Sequence, residues 1–178
     1  MEQILTHEHL GITMFERSKK PRVRGVTMVI DQGGPWEYED GILEEWGAYV
    51  DVVKLTIRHL LQPLDVLKKK IDMLKRYDIE VQPGGIIVEL ARFQGRGEEC
   101  LRKMKDLGFT QVEVSPTTGG ERVMDEDAAF TELAKKLGYT VFGEIGRKML
   151  EGDSTRIDAE TLNVKESISQ IRRFFDAG

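Results

Sequence analysis

The chain has 178 residues, 40% of them hydrophobic and 32% charged, with a formal net charge of −5. That makes one domain (residues 1–178) long enough to bury a core. Its acidic balance excludes a general nucleic-acid binder, which needs surplus Lys and Arg to displace counterions. No run approaches the roughly 20 apolar residues of a membrane span. Met1-Glu2-Gln3 lacks a basic region and an apolar signal core. Cys100, the single cysteine, cannot form an intramolecular disulfide, and a reducing cytoplasm is the expected location. With Glu98, Glu99 and Asp106 close in sequence, nothing lowers its pKa, and it reads as a packing residue.

Residues 1–20 form an arm, and Lys19-Lys20-Pro21-Arg22 marks an irregular approach to the first strand, since Pro21 disfavours helix at Lys20. Five short apolar runs then follow at intervals of about 25–33 residues: Val26–Asp31, Val50–Lys54, Ile79–Gln82, Val112–Ser115 and Thr140–Glu144. Each ends on a polar or charged residue. Helical stretches separate them. Gly33-Gly34-Pro35 makes a turn and Asp40 caps a helix to about Ala48. Leu64, Leu67, Ile71 and Leu74 recur at helical spacing across Pro63–Tyr77. Within it, Lys68-Lys69-Lys70 reads as a solvated face. Ile87–Lys105 is helical with a break near Gly95 and Gly97, and Asp125–Leu137 is stopped by Gly138. A last helix from Ala159 to about Asp176 places Leu162, Ile168, Ile171 and Phe175 on one side.

Strands alternating with helices read as β/α units of a parallel sheet. The expected fold is an α/β TIM (β/α)8-type barrel, truncated. Five units are visible, whereas eight need about 250 residues. A second copy completing the sheet and an open doubly wound sheet are the alternatives. Unpaired edges predict self-association as a homo-oligomer.

Side chains alternate along a strand. Thr27, Val29 and Asp31 share one face, as do Val52 and Lys54, Glu80 and Gln82, and Phe142 and Glu144. With Glu113 from the fourth strand, an acid, a lysine, an amide and two further acids are expected at one rim. The carboxyl ends of such strands are where ligands sit. Asp31, Glu113 and Glu144 offer hard oxygens to magnesium. Arg147 and Lys148 suit anions, and the backbone N–H groups of Gly84-Gly85, opening the next helix, offer a further anion cradle.

Several segments are distinctive together: Lys20-Pro21-Arg22-x-x-Gly25-x-Thr27-Met28-Val29-Ile30-Asp31; Tyr49-Val50-Asp51-x-x-Lys54; Pro83-Gly84-Gly85 followed by Glu89; Leu107-Gly108-Phe109-x-x-Val112-Glu113-Val114-Ser115; and Glu144-Ile145-Gly146-Arg147-Lys148. In order and spacing they resemble the phosphosulfolactate synthase family of coenzyme M biosynthesis, over roughly residues 20–178. The resemblance implies a (β/α)8 barrel and a carbon–sulfur lyase. In that reaction sulfite adds to phosphoenolpyruvate with the help of Mg2+, and charge accumulates on the substrate carboxylate. It implies that Lys148 is the general acid, that Lys54 ends strand two in the site, and that Asp31 is the strand-one acid. On this reading Lys148 and Lys54 are catalytic, Arg147, Gly84, Gly85 and Ser115 bind substrate, and Asp31, Glu113 and Glu144 hold the metal.

The chain departs from that pattern at four places. Leu55-Thr56-Ile57-Arg58-His59-Leu60 replaces a Gly-Trp-Gly-Thr-Ser loop. Ile86 stands where a threonine follows the glycine pair, Pro116 where an aspartate is expected, and Arg147 where the family has lysine. Two other readings compete. Thr6-His7-Glu8-His9 resembles the metal-binding start of amidohydrolase barrels, with His59 as the only further histidine. A barrel relative that acts through protein contacts, without catalysis, is the third.

Overall fold

The structure is a computed structural model that describes residues 5–115, 121–145 and 164–178. A four-residue helical turn, α1 (Thr6–His9), leads through extended chain to β1 (Met28–Asp31), α2 (Trp36–Trp46) and β2 (Val52–Leu55). Then come α3 (Leu64–Arg76), β3 (Glu80–Pro83), α4 (Gly85–Phe93), α5 (Gly97–Leu107) and β4 (Gln111–Val114). The described chain ends with α6 (Glu121–Lys136), β5 (Thr140–Gly143) and α7 (Val164–Asp176). No helix among the described residues is long and apolar enough to cross a membrane.

The helix boundaries follow local chemistry. α2 begins at Trp36, four residues before the expected Asp40, because Pro35 ends the turn in an extended conformation and its carbonyl accepts from Glu39 N. α3 carries Asp65 in its first turn and Lys75 and Arg76 in its last, complementing the helix dipole. The expected break near Gly95 is present and separates α4 from α5, with Gly95 at φ +69°. α5 stops at Gly108, whose φ of +101° an L side chain rarely adopts.

All strand pairs are parallel and follow sequence order. In the first sheet Met28 lies opposite Val52 and Val52 opposite Glu80, and the register continues to Asp31, Leu55 and Pro83. In the second, Gln111 lies opposite Thr140 and Val114 opposite Gly143. Between the sheets, Thr110 N donates to Val81 O at 3.1 Å, and Val81 N donates to Thr110 Oγ1 at 3.1 Å. A side-chain hydroxyl there does the work of a ladder carbonyl, so β4 runs beside β3 without a continuous ladder. A doubly wound sheet reverses its strand order at a switch point. The described strands show no reversal, and their sequential parallel winding is consistent with part of a barrel wall.

One side of the strands is packed by helices. Val53, Leu55, Val81, Val112 and Val114 join Ile71, Met73 and Leu74 of α3, Ile87 and Val88 of α4, Leu101 and Met104 of α5, and Phe130 and Ala134 of α6. The other, inner side carries buried Val52 and Gln82 together with Met28 and Ile30, which remain partly exposed.

The arm is anchored at the amino ends of the strands. The Asp51 carboxylate accepts from Arg22 Nη1 at 2.7 Å, Thr27 N at 2.8 Å and Arg17 Nη2 at 3.2 Å. Lys20 Nζ donates to Tyr77 O at 2.8 Å. The Lys20-Pro21-Arg22 segment thus fastens the end of the sheet opposite the expected site.

Candidate functional site

At the carboxyl ends, β2 turns Lys54 to the inner side because its neighbours Val53 and Leu55 are held in the helix-packed core. Lys54 Nζ donates to Glu113 Oε2 at 2.6 Å, and both side chains are largely buried. The other Glu113 oxygen, Oε1, accepts from Gly85 N at 3.1 Å. Gly85 is the first residue of α4, so the carboxylate occupies the positive end of a helix. A close approach makes this possible. Gly84 N donates to Leu55 O at 2.8 Å, and a Cβ on Gly84 would lie 3.3 Å from that carbonyl and 3.7 Å from Lys54 Cε.

Neutral polar groups surround the pair. Gln82 lies opposite Lys54 in register and is fully buried, and neither its Oε1 nor its Nε2 has a protein partner. Ser115 follows β4 two residues beyond Glu113, is 2% exposed, and its Oγ is likewise unpartnered. Thr56 Oγ1, two residues beyond Lys54, is a third such atom. Glu144 follows β5 beside them, its N–H donating to Val114 O at 2.8 Å.

Asp31 departs from the expected rim. It pairs with Leu55, while Ile30 pairs with Lys54. The shared face of Asp31 and Lys54 is therefore corrected: Asp31 belongs to the helix-packed side. There Oδ1 accepts from Gly33 N at 2.6 Å and Gly34 N at 3.3 Å, and Oδ2 meets His59 Nε2 at 2.9 Å and the Lys70 ammonium. Lys70 also donates to Gly34 O and Glu39 Oε1, each at 2.9 Å. Burial pushes the Asp31 carboxyl up, but hydrogen bonds from His59, Lys70 and Gly33 outweigh it and hold it below the usual carboxylate range. Glu39 moves the other way, because its own burial and the nearby Asp31 charge outweigh its bond to Lys70.

Lys70 is a second correction. It is wholly buried and is no part of a solvated face. It stands three residues after Leu67 and four before Leu74, on the apolar stripe of α3, and that spacing is the signal that marks it. His59 has both ring nitrogens engaged, Nδ1 with Thr56 O at 2.9 Å and Nε2 with Asp31. It is therefore not available to join His7 and His9, which lie on an exposed turn.

Among the described residues no group of three or more His, Cys, Asp and Glu side chains is placed to hold a metal ion. The expected trio of Asp31, Glu113 and Glu144 is split because Asp31 faces the helices. What stays together at the inner rim is Lys54, Gly84, Gly85, Glu113 and Ser115, with Glu144 on the adjoining strand. Arg147 and Lys148 lie outside the described residues.

The expected Gly84–Gly85 anion cradle is corrected, because Gly84 N is taken by Leu55 O and Gly85 N by Glu113; what the rim offers a small anion is the Lys54 ammonium with neutral hydrogen-bonding groups on the same strand ends. Comparison with known proteins agrees with an enzyme of this kind. Residues 15–178 match the model of the (2R)-phospho-3-sulfolactate synthase (ComA) family. The chain is 37% identical over 139 residues to the phosphosulfolactate synthase of Methanothermobacter thermautotrophicus, covering 77% of this chain and 53% of that protein. It is 33% identical over 156 residues to the enzyme of the same name from Methanocaldococcus jannaschii, covering 87% and 59%. It is 28% identical over 146 residues to that of Bacillus subtilis, covering 82% and 57%. The chain thus spans little more than half the length of these relatives.

Proposed function

The chain belongs to the (2R)-phospho-3-sulfolactate synthase family, and on that premise we propose that it carries the anion-binding rim of a carbon–sulfur lyase that adds sulfite to phosphoenolpyruvate. The observation that supports this most is the Lys54–Glu113 pair seated on the start of α4, with Gln82 and Ser115 buried beside it. In the reaction the sulfur lone pair of sulfite bonds to the methylene carbon, and the displaced π electrons reach the substrate carboxylate as an enolate-like dianion. A proton then goes to the carbon that bears the phosphate ester.

Each step asks something of this chain's residues. Lys54 offers positive charge where the dianion develops, and Glu113 holds its ammonium in place instead of leaving it to wander in solvent. Gly84 keeps the helix start close enough to β2 for Gly85 N to hold Glu113, and through it Lys54, in position. Lys148 is proposed as the proton donor on the strength of the family motif alone, and Arg147, its neighbour in sequence, is a candidate cation to favour proton release.

The donor set fits magnesium in a reduced form. Mg2+ commonly takes one or two carboxylates and keeps several waters. Glu113 and Glu144 would supply the carboxylates, Glu113 through lone pairs beyond those given to Lys54 and Gly85, and the unpartnered Gln82 Oε1 would be a neutral hard oxygen on the neighbouring strand. When bound, the ion supplies Lewis-acid stabilisation of the carboxylate charge.

The test is purified protein incubated with magnesium, sulfite and phosphoenolpyruvate, with the product followed by phosphorus NMR and mass spectrometry. A phosphorylated sulfonate supports the reading. No sulfonate under conditions where phosphoenolpyruvate is bound overturns it. Loss of product in Lys148→Ala, with the fold intact, supports the general-acid assignment.

A further inference from the structure

We propose that Lys70 is a positioning residue for the rim: with Asp31 and His59 it clasps the turn after β1 to the segment after β2, and so fixes the end of the strand that presents Lys54. This rests on the reading of the inner rim as the substrate site and adds what holds that rim in shape. The network joins five pieces of chain. Asp31 ends β1, Gly33 and Gly34 lie in the turn after it, Glu39 belongs to α2, His59 to the 3-10 turn Ile57–Leu61, and Lys70 to α3. Asp31 Oδ1 holds the turn through Gly33 N and Gly34 N, while Lys70 donates to Gly34 O and to Glu39. His59 ties this unit to the end of β2, since its Nε2 meets Asp31 Oδ2 and its Nδ1 meets Thr56 O, each at 2.9 Å. Thr56 N donates to Asp31 O at 3.3 Å, and Arg58 Nη1 donates to Gln32 O at 3.2 Å. Both backbone polar groups of Thr56, two residues beyond Lys54, are thus held by members of the clasp.

The place of Lys70 in α3 separates positioning from packing. It is wholly buried beside Ile71, on the stripe that runs from Leu67 to Leu74, where a leucine would serve a plain core. Burying an ammonium with carboxylates gains little over apolar packing, because desolvation offsets the attraction. Directed bonds supply a fixed geometry instead. The three ammonium protons of Lys70 have three acceptors, on β1, on the turn and on α2. The cluster also sits at the carboxyl ends of the strands and couples the first two rim loops, unlike the Arg22–Asp51 anchor at their amino ends.

Lys70→Met alone strands two carboxylates without their cation and unfolds too readily to be informative. The decisive variant is Asp31→Asn/Glu39→Gln/Lys70→Met, which removes the ammonium and both carboxylates together. It is expected to keep a urea midpoint close to that of wild type. Amide exchange over residues 55–62 should quicken, and phosphoenolpyruvate should bind about ten-fold more weakly by calorimetric titration. His59→Gln keeps a donor for Asp31 but loses the bond to Thr56 O, and should show both effects in smaller measure. A merely structural cluster would move the midpoint and leave the affinity of the folded protein where it was. The proposal is overturned if the folded triple variant binds phosphoenolpyruvate as wild type does, if exchange over 55–62 is unchanged, or if wild type binds no phosphoenolpyruvate. Should the triple variant fail to fold, the same two readouts in His59→Gln decide. Wild type that binds phosphoenolpyruvate more tightly than the variants but makes no sulfonate keeps the clasp and ends the lyase reading instead.

Discussion

Lys54 Nζ and Glu113 Oε2, 59 residues apart in sequence, meet at 2.6 Å where the carboxyl ends of β2 and β4 face the start of α4. Both side chains are largely withdrawn from water, so the pair is under tension between desolvation and attraction. Lys54→Met strips Glu113 of its cation and is expected to cost about 3–5 kcal/mol. The double variant Lys54→Met/Glu113→Gln removes both charges and should recover most of that stability in urea unfolding. Sulfonate formation should return in neither. Turnover restored in the double variant would make the pair a structural device only.

A second buried network predicts how the fold responds to acid. The Asp31 carboxyl titrates below its ordinary range because the donors His59, Lys70 and Gly33 outweigh the effect of burial. A depressed folded value means the stabilisation is present above the unfolded value of about 3.9 and is lost as pH falls below it. Glu39 is shifted up and acts in the opposite sense, costing stability as it ionises at higher pH. Urea midpoints followed from about pH 6 to about pH 3 should therefore fall steeply at the acid end in wild type. The acid-side slope should flatten in Asp31→Asn. An unchanged slope would remove Asp31 from the account.

The sequence made the sheet legible because each strand is a short apolar run closed by a polar residue, and the helices between them keep a clear 3.6-residue stripe. Lys54, Glu113 and the glycine pair were readable for the same reason: two strands and one turn fix their directions locally. Asp31 was not. Whether its face coincides with that of Lys54 depends on the register between β1 and β2, a property of two strands that no count along one strand contains. Lys70 was hidden by its neighbours Lys68 and Lys69, although its position on the Leu67–Leu74 stripe gave it away. Arg22 and Asp51 stand in the segments that carry the family resemblance, and a motif shows which residues matter and not which end of a strand they occupy.

That anchor makes a clean contrast with the rim. Asp51 accepts from Arg22, Thr27 and Arg17 at the amino ends of the strands, where barrels keep stability and not catalysis. Its burial is outweighed by those donors, which hold its carboxyl below the ordinary value. Asp51→Asn is expected to lower stability by about 2 kcal/mol, the scale of hydrogen bonds to a charged group. Measured where the variant is fully folded, the KM for phosphoenolpyruvate should stay within about two-fold of wild type. A large KM change at unchanged stability would place the anchor in the site after all.

On the proposed reading, a magnesium requirement would separate the two acids that end strands on opposite faces. Removing divalent ions with a chelator is expected to abolish sulfonate formation, and adding magnesium back should restore it. Glu144 follows β5 beside Glu113, so Glu144→Gln should raise the magnesium concentration needed for half-maximal activity by about ten-fold, the loss of one charged ligand. Asp31 has its oxygens engaged by Gly33, Gly34, His59 and Lys70 on the helix-packed side. Asp31→Asn should therefore lower stability while leaving the magnesium requirement of the folded protein where it was. An Asp31 variant that folds normally but needs far more magnesium would return that residue to the rim and the helix-facing network to a secondary role.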